Sequence, residues 1–485
     1  MLDILFVNPG DRKAVFQDLG KDLTAIEPPF QIASYAAFLR NEGFSVGILD
    51  SNAENISPKE TSDRIKELNP RLVAIIVYGN QPSASTQNMS IAGKIAKSIK
   101  DNCTSKVVIG GLHPSALPKR TLESECVDFV IEGEEQKPLK ELIEALKYNK
   151  DLNTVSGLWY RENETILNNP KAKLLDDLDK YLPLAAWDLL PMEKYRAHNW
   201  HCFDDIENRM PYGAIYTSLG CPYKCTFCCI NAPFGGSSIR YRSPDLVVEE
   251  IVFLHKEYGI RNIKIIDEMF VLDERHYMKI VDLLIKENLD LNIWAYARVD
   301  TVHVNTLSKM KKAGFNWLAL GIESASAEVR DGAAKKMRVK DIQSIVKKIQ
   351  DSDIRVIGNF IFGLPDDTIE SMNETLTMSK ELNCEFSNFY CAMAYPGSKL
   401  YSLALEQGLK LPEVWTGYSQ HSYNIQPLPS KTLLAKEIVK FRDDAFHDYN
   451  ENPIYLDMLE KKFNKDVRSH IEDITKTRLK RKILE

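Results

Sequence analysis

Apolar and polar residues alternate along the first 150 residues in a pattern that predicts strands and helices in turn. Short runs that are apolar on both faces predict buried strands, and stretches with apolar residues at helical spacing follow them. The predicted strands are Ile4–Val7, Val46–Leu49, Leu72–Tyr78, Val107–Ile109 and Phe129–Ile131, and the predicted helices are 30–42, 85–100 and 138–147. Such an alternation indicates a doubly wound parallel sheet. We assign residues 1–150 to this Rossmann-like domain.

The next segment, residues 151–210, breaks this rhythm. Two short apolar runs, Gly157–Tyr160 and Thr165–Leu167, are separated by the polar residues 161–164 and predict a hairpin. A stretch rich in Asp and Pro follows. We expect this segment to be a linker that packs between domains.

The strand–helix rhythm returns after Tyr212. Six apolar runs predict strands and are separated by long amphipathic helices; they are 214–217, 263–266, 291–295, 317–320, 356–362 and 386–393. Six such units indicate a partial (β/α)6 barrel over residues 211–400. Residues 401–485 predict a helical carboxy-terminal region, and the basic run 476–482 predicts a solvated helix end. The fold class is therefore expected to be α/β.

Composition narrows the functional classes. The chain has 485 residues and a formal charge of −6, which gives no electrostatic reason to expect a nucleic-acid partner. No apolar run is long enough for a transmembrane helix, and the amino terminus does not look like a signal peptide. Four of the nine cysteines lie in one short loop, which is not the pattern of a disulfide framework. We expect a reducing, cytoplasmic setting.

The cysteine loop carries the strongest chemical signal. Cys221, Cys225 and Cys228 are spaced C-x3-C-x2-C directly after the first strand of the predicted barrel. Thiolates are the usual ligands of iron–sulfur clusters, and three of them would leave one iron of a four-iron cube open. An open coordination position is typical of catalytic metals, and barrel enzymes keep their chemistry at the carboxyl ends of the strands.

Two other interpretations of this loop stay open. A structural zinc site would need four ligands, so it would have to recruit Cys202 or His201 from a distance. Cys229 lies outside the three-cysteine spacing and is expected either to face a substrate or to fill space in the core.

The loop Ser218–Cys228 resembles the signature of radical S-adenosylmethionine (SAM) enzymes. Similar strand-end motifs follow in order over residues 210–400: 267–270, 298–300, 321–324, 358–365 and 395–398. The resemblance implies that the three cysteines bind a [4Fe–4S] cluster whose open iron holds SAM. One-electron cleavage of SAM would give a 5′-deoxyadenosyl radical, which abstracts hydrogen from an unactivated carbon.

The same resemblance implies SAM-binding roles for seven residues. Phe227 and Gly358 would lie near the adenine, Asp267 and Glu268 would hold the ammonium group, Arg298 would pair with the carboxylate, and Glu323 and Ser324 would contact polar groups or the ribose. Each has a structural alternative. The carboxylates and the serine could cap helices, Arg298 could form a structural salt bridge, and the strand glycine could mark a bulge.

The front domain resembles the cobalamin-binding domain attached to one class of radical SAM enzymes. Its predicted strands end at 8–10, 79–81, 110–114 and 132–134, the edge where such sheets bind ligands. The resemblance implies cobalamin contacts from Asn8, Gly79, Gly110, Gly111, His113, Glu132 and Gly133. Many cobalamin proteins carry D-x-H-x-x-G after the first strand, but residues 8–13 contain no histidine. We therefore expect His113 to form hydrogen bonds rather than to ligate cobalt; a vestigial domain without corrin is the alternative.

Three functions remain in competition. The first is cobalamin-dependent radical SAM methyl transfer to a carbon of a small molecule, supplied with electrons by an external donor such as flavodoxin or ferredoxin. The second is a radical SAM cyclisation, rearrangement or oxidation without methyl transfer. The third is a non-catalytic binding protein with an inert cluster. The residues do not identify the substrate.

Overall fold

The computed structural model describes residues 2–20, 23–79 and 82–485, with no side-chain description for 82 and 83. Asn80 and Gln81, which belong to one of the predicted strand-end loops, lie outside the described residues. Within the described chain the first sheet contains β1 Ile4–Asn8, β2 Val46–Asp50, β3 Leu72–Val77, β4 Lys106–Gly111, β5 Phe129–Ile131, β6 Leu158–Glu162 and β7 Thr165–Asn168. Its helices are α1 Arg12–Phe16, α2 Phe30–Asn41, α3 Ser51–Glu54, α4 Pro58–Leu68, α5 Pro82–Asn102, α6 Leu112–Ala116, α7 Pro118–Ser124 and α8 Gln136–Tyr148.

The first sheet confirms the predicted doubly wound architecture. Its strand order is β2-β1-β3-β4-β5-β6-β7, and β1 to β5 run parallel. Alternate residues of β1 enter different cores: Ile4 and Phe6 pack on the side of α2 and α8, and Leu5 and Val7 on the side of α5. Two covered faces explain why the strands are apolar throughout.

The predicted hairpin belongs to this sheet rather than to a separate linker. β6 pairs antiparallel with β5, and β7 pairs antiparallel with β6. The sheet therefore continues to Asn168, past the predicted boundary at residue 150. The short helix α9 Leu178–Tyr181 packs beside α2 in the core of the front domain. The residues from Ala185 to Phe203 pack in the core of the second sheet. There the ring of Trp200 lies 5.1 Å from that of Trp294 and 5.5 Å from that of Trp317.

The second sheet is the predicted partial barrel. Its strands are β8 Tyr212–Ile215, β11 Asn262–Ile265, β12 Asn292–Arg298, β13 Phe315–Glu323, β14 Arg355–Phe362 and β15 Phe386–Cys391; the short pair β9 Ser218–Leu219 and β10 Arg240–Tyr241 stands apart. The order β15-β14-β13-β12-β11-β8 is sequential, and every pairing is parallel. The edge strands β8 and β15 do not pair with each other, so the barrel is open on one side.

Helices cover the barrel and form the carboxy-terminal region. They are α10 Pro244–Tyr258, α11 Glu274–Glu287, α12 Leu307–Lys312, α13 Ala327–Gly332, α14 Val339–Asp351, α15 Ile369–Leu382, α16 Lys399–Glu406, α17 Ala435–Asn450, α18 Pro453–Lys462 and α19 Lys465–Thr475. The basic run 476–482 follows the end of α19, and four of its five cations are exposed, as predicted. Arg481 is the exception, because it is buried against Asp443 and Ser422. Among the described helices, none has the length and apolar character to cross a membrane.

Candidate active site at the domain interface

The cysteine loop leaves the barrel at the end of β8 and is closed at its base by the antiparallel pair β9–β10. Gly220 begins the loop with φ +90°, and a Cβ there would stand 2.4 Å from the backbone oxygen of Ser238. Only glycine fits this position. The loop then folds around Asn231, whose amide accepts from Cys221 N and donates to Cys221 O at 3.0 Å. The loop is therefore stabilised by hydrogen bonds between its own residues.

The three signature thiols lie close enough to influence one another. The charges of Cys225 and Cys221 add to the effect of burial, which raises the pKa of Cys228 well above its usual range. Burial likewise raises the pKa of Cys221 to about 11. All nine cysteines lie within the described residues, and none forms a disulfide. The thiols are thus clustered and available as ligands.

The donor set fits a cluster better than a single ion. In the described part of the chain, no three His, Cys, Asp or Glu side chains converge closely enough to hold one metal ion. A four-iron cube spreads its thiolates over different irons, so its ligands need not meet at one point. Neither distant candidate for a fourth zinc ligand is near the loop, because His201 bonds to Asn292 O at the opposite end of the barrel and Cys202 is in the core there.

Arg298 lies directly beside the cysteine loop. Its Nη1 is 4.0 Å from Cys225 Sγ, and its guanidinium lies 4.0 Å from the ring centre of Tyr223. Nε and Nη2 donate to Asp300, at 2.9 and 3.0 Å. Burial alone would lower the pKa of Arg298, but the hydrogen bond and charge of Asp300 raise it overall. A fixed positive charge therefore lies beside the cysteine loop.

A second cation, not predicted from the sequence, follows α13 and lies against the end of β13, the strand next to β12. Lys335 contacts the carboxylate of Glu323, and both side chains are buried. A Cβ on Gly321 would stand 2.3 Å from Lys335 Nζ, so this glycine makes room for the lysine. Glu323 itself has φ +67°, which is unusual for a residue with a side chain and marks strain at the strand end. The charge of Lys335 also acts on Cys225.

Asp267 ties the second strand end to the cysteine loop. Its Oδ1 accepts from Thr217 N at 2.7 Å, and its Oδ2 accepts from the hydroxyls of Thr217 and Ser218, both at 2.6 Å. It caps no helix, because Asp273 caps the helix that follows. A direct role of Asp267 towards SAM stays a prediction, and the structure supplies a positioning role for it.

Glu268 is the more available of the two acids. It is partly buried and lines a small pocket between the two domains. Burial, with a further contribution from the charge of Asp267, raises its pKa to about 8. A carboxyl of this kind can hold or release a proton near neutral pH.

The other predicted SAM residues are turned towards protein. Ser324 Oγ lies 3.2 Å from Thr375 Oγ1 and is fully buried. The missing Cβ of Gly358 faces Phe360, at 2.8 Å, so packing alone requires a glycine there. Phe227 packs against two small apolar clusters at the barrel mouth. Any contact of Ser324 or Gly358 with SAM would have to use the backbone, and these roles stay predictions.

On the front domain, two predicted residues line a large shared cavity. Asn8 and Gly79 face a cavity of about 320 Å³ that reaches from the end of the first sheet into the barrel. Asn8 Nδ2 donates to Asp50 Oδ1 at 2.9 Å, which orients its amide. A Cβ on Gly79 would stand 1.9 Å from Ala84 Cβ, so this glycine permits the close start of the next helix.

The space beside the glycine pair that ends β4 is filled by other residues of the protein. A Cβ on Gly110 would stand 3.0 Å from Glu135 Cγ, and one on Gly111, at φ +125°, would stand 2.3 Å from Val77 O. These two glycines therefore allow the neighbouring strand β3 and the Glu135 side chain to pack closely against β4. A cobalamin contact at this pair stays a prediction.

His113 is held inside the front domain. Its Nδ1 lies 3.2 Å from Thr86 Oγ1, and its ring meets Trp415 edge-on at 4.5 Å. Burial lowers its pKa to about 3, so the imidazole is neutral. The ring is engaged in protein contacts, in agreement with the expectation that it forms hydrogen bonds.

Glu132 and Gly133 have different surroundings. Glu132 accepts from Trp159 Nε1 at 2.8 Å and pairs with Lys171 at 2.7 Å, so it fastens the hairpin to the sheet. Gly133, at φ +111°, lies against the cysteine-loop segment, with Pro233 O 3.6 Å from its Cβ position. Of this pair, only Gly133 reaches the domain interface.

A polar network that was not predicted from the sequence lies next to this interface. Glu135 Oε2 accepts from Tyr35 OH at 2.7 Å and from Tyr78 OH at 3.4 Å. Burial raises the pKa of Glu135 to about 7. The adjacent Glu134 forms a two-pronged ion pair with Arg240 of β10, at 2.8 and 2.9 Å. These residues join the front domain to the base of the cysteine loop.

The comparisons with known proteins agree with this arrangement. The Radical SAM superfamily matches residues 215–378, and the B12 binding domain matches residues 18–143. An uncharacterized methyltransferase of Pyrococcus horikoshii is 32% identical, over 94% of this chain and 94% of that protein. The anaerobic magnesium-protoporphyrin IX monomethyl ester cyclase of Rubrivivax gelatinosus is 24% identical, over 82% of this chain and 69% of its own.

Among solved structures, the radical SAM methyltransferase TsrM from Kitasatospora setae, with tryptophan substrate and a SAM analogue bound, superposes with a TM-score of 0.70. It covers 98% of both chains at 17% identity. That likeness supports the fold. The near full-length relative and the two matched domains show the family. The chain is therefore an enzyme of the radical SAM superfamily that carries a B12-binding domain in front of its radical SAM domain.

Proposed function

We propose that this enzyme is a cobalamin-dependent radical SAM methyltransferase that acts on an unactivated carbon of a small molecule. The observation that supports this most strongly is the contact between a loop at the carboxyl edge of the front sheet and the cysteine loop at the carboxyl edge of the barrel. Leu112, directly after the glycine pair of β4, packs in one apolar cluster with Cys221, Cys229 and Met269. A corrin at the front domain and a cluster at the barrel would then face the same space. Membership of the superfamily weighs against an inert, non-catalytic cluster.

Cys221, Cys225 and Cys228 would hold the cluster. When bound there, the cluster supplies one electron to SAM and so provides a 5′-deoxyadenosyl radical that can take hydrogen from carbon. The chain's own contribution is electrostatic. Arg298 and Lys335 present two cations at the loop, where they could attract the SAM carboxylate. Glu268 and Glu323 offer acceptors for its ammonium group.

The strand ends of the front domain would hold cobalamin. When bound, cobalamin supplies a cobalt centre that carries a methyl group from SAM to the substrate. Asn8 and Gly79 border the shared cavity and Gly133 borders the cysteine loop, so these three are the best placed of the predicted contacts. The ring of His113 is enclosed by contacts with Thr86 and Trp415, which supports binding without a histidine ligand from that loop.

The substrate would occupy the shared cavity of about 320 Å³. A cavity of this size, with aromatic walls and a few polar groups, suits a small molecule. Asn388 Nδ2 donates to Asn359 Oδ1 at 3.0 Å, which holds two amides on the inner face of the barrel. Tyr296 and Tyr390 line the same wall. These side chains can orient a polar substrate inside the barrel.

An external one-electron donor completes the proposal. Thr226 N donates to Ala333 O at 3.2 Å, and Leu400 N donates to Thr226 O at 2.9 Å, so three surface segments meet beside the cysteine loop. Each carries an exposed lysine that forms no ion pair with a described residue; these are Lys224, Lys336 and Lys399. On a chain with a formal charge of −6, such a local basic surface suits an acidic carrier such as flavodoxin or ferredoxin. A reducing cytoplasm is the setting that this chemistry favours.

A second candidate is cyclisation or oxidation without methyl transfer. The relative named as a cyclase, which covers 82% of this chain, favours keeping it. Both functions need the same cluster and SAM site, so the site residues do not separate them.

The deciding experiment uses SAM with an isotopically labelled methyl group. Anaerobically reconstituted protein is incubated with hydroxocobalamin, labelled SAM, reductant and extract of the source cells, and products are analysed by mass. A product that carries the heavy methyl group supports methyl transfer. A product formed with 5′-deoxyadenosine but without the label would favour the second candidate.

A further inference from the structure

A small pocket at the domain interface contains hydrogen-bond acceptors that have no partner among the residues that the structure describes. Its volume is about 30 Å³, and its walls come from both domains: Tyr78, Glu135 and Gln136 on one side, Tyr216 and Glu268 on the other. Room of this size holds one or two waters or the head of one small polar group.

Two of the acceptors are buried and unsatisfied. Glu135 is 0% exposed and Gln136 is 2% exposed. Within the described chain, neither Oε1 atom has a hydrogen-bond partner. The backbone N–H groups of Gly111 and of Glu135 itself approach this carboxyl closely enough to lower its pKa, but neither has the geometry of a hydrogen bond to Oε1. Buried acceptors are rarely left without donors, because desolvation without a hydrogen bond costs free energy.

The other polar groups around the pocket indicate which kind of hydrogen-bond donor would fit the two unsatisfied acceptors. Tyr35 and Tyr78 already donate to Glu135 Oε2. The opposite wall adds the carboxyl of Glu268, and Glu134 lies beside the pocket. An acceptor-rich pocket excludes anions and selects a group with several N–H donors. A primary amide carries two donors on one nitrogen, which matches two orphan acceptors on adjacent residues.

The position points to the source of that amide. The pocket adjoins Gly110, whose missing Cβ leaves space for Glu135, and the cysteine-loop residue Gly220 on the other side. It thus lies at the carboxyl edge of the front sheet, where that sheet is expected to bind its ligand. The corrin ring of cobalamin carries primary amides around its rim. We propose that Glu135 and Gln136 bind the NH2 group of one peripheral amide of the corrin, an inference that rests on the proposed cobalamin dependence.

The first test replaces Gln136 by Leu, which removes one acceptor and keeps the volume. Cobalamin affinity is measured by absorbance titration of the anaerobic full-length protein at pH 8, where Glu135, with its pKa of about 7, is ionised and can accept hydrogen bonds. Unfolding of the cobalamin-free protein is measured by thermal melting. We expect Gln136→Leu to weaken cobalamin binding about tenfold, the typical effect of one buried hydrogen bond. The cobalamin-free variant should melt at the same or a higher temperature, because an unsatisfied polar group is gone. Gln136→Met is the second variant should the leucine protein fail to fold.

The second test changes the ligand. Cobalamin monocarboxylates, each with one rim amide hydrolysed to a carboxylate, are titrated against wild type and Glu135→Gln. Wild type should bind one of these derivatives at least about tenfold more weakly than the others, and Glu135→Gln should reduce that discrimination. Glu144→Gln, on the same helix but paired with Lys150, is the matched control.

The outcomes are distinct. Unchanged cobalamin affinity in Gln136→Leu and equal binding of all monocarboxylates would overturn the amide proposal and leave a water-filled pocket. Failure of wild type itself to bind cobalamin would overturn the proposed cobalamin dependence as well. Normal cluster iron in every variant shows that the cysteine loop is intact.

Discussion

Arg298 Nη1 lies 4.0 Å from Cys225 Sγ, so a guanidinium held by Asp300 stands at the middle thiol of the loop. The charge is fixed before any cofactor binds, which reduces the cost of organising the site. We expect Arg298→Gln to weaken SAM binding roughly tenfold to a hundredfold, the range for a charge-assisted hydrogen bond of about 1.5–3 kcal/mol.

Iron content should not change in this variant, because Arg298 is not a ligand. SAM affinity by equilibrium dialysis and iron analysis check both points. Asp300→Asn is the matched control, since it keeps the guanidinium and removes only its partner. Loss of iron with normal SAM affinity would show that Arg298 supports the loop instead.

Gly321 gives a second way to disturb the SAM site. A methyl group there would collide with Lys335 Nζ and stand 2.7 Å from Glu323 Oε1, so this buried ion pair would have to shift and the free energy of unfolding should fall. We expect Gly321→Ala to raise the KM for SAM in the same direction as Lys335→Met. Gly236→Ala is the control, because nothing lies within 4 Å of its Cβ position. A normal KM in Gly321→Ala would mean that Lys335 does not touch SAM.

Glu135 predicts a pH dependence of stability. Burial raises its pKa from 4.5 to about 7, so the folded protein holds a proton that the unfolded chain has lost between these values. Its contribution to stability is therefore present below pH 4.5 and is lost as the pH rises towards 7. Glu135→Gln, which cannot ionise, should melt with a flatter pH profile between pH 5 and 7. An unchanged slope, equal to that of Glu144→Gln, would show that Glu135 is ionised in the folded protein.

The exposed lysines at the cysteine loop form the surface where we expect the electron donor to dock. Replacement of Lys224, Lys336 and Lys399 by Glu should abolish SAM cleavage driven by reduced flavodoxin and leave cleavage driven by dithionite unchanged. The triple Lys→Arg protein retains the charge and should behave as wild type. Equal rates with flavodoxin in the Glu and Arg proteins would place the docking surface elsewhere.

Local sequence patterns predicted the main elements of this fold well. The parallel strands β1 to β5 of the first sheet are mostly apolar on both faces, so their positions follow from composition over a few residues. The cysteine loop was recognisable because its three signature cysteines lie within eight residues, and the hydrogen bonds that Asn231 makes within the loop are equally local.

Features that depend on distant contacts could not be read in this way. Lys335 lies outside every strand-end motif, and only the fold brings it to Glu323. The glycines at 110 and 358 looked like openings for a cofactor, yet Glu135 and Phe360 fill those spaces. The hairpin pattern was correct, but its pairing with β5 depends on where the chain returns, which hydrophobic periodicity does not encode.

Release of 5′-deoxyadenosine by the reduced, anaerobically reconstituted protein tests whether the three-cysteine loop holds a working cluster. Wild type and Cys229→Ala should both release it from SAM, because Cys229 lies outside the signature spacing. Cys225→Ala should release none and should lose iron. No release from wild type under a strong reductant, or equal release from wild type and Cys225→Ala, would contradict the assignment of these thiols as the ligands of an open iron–sulfur cluster.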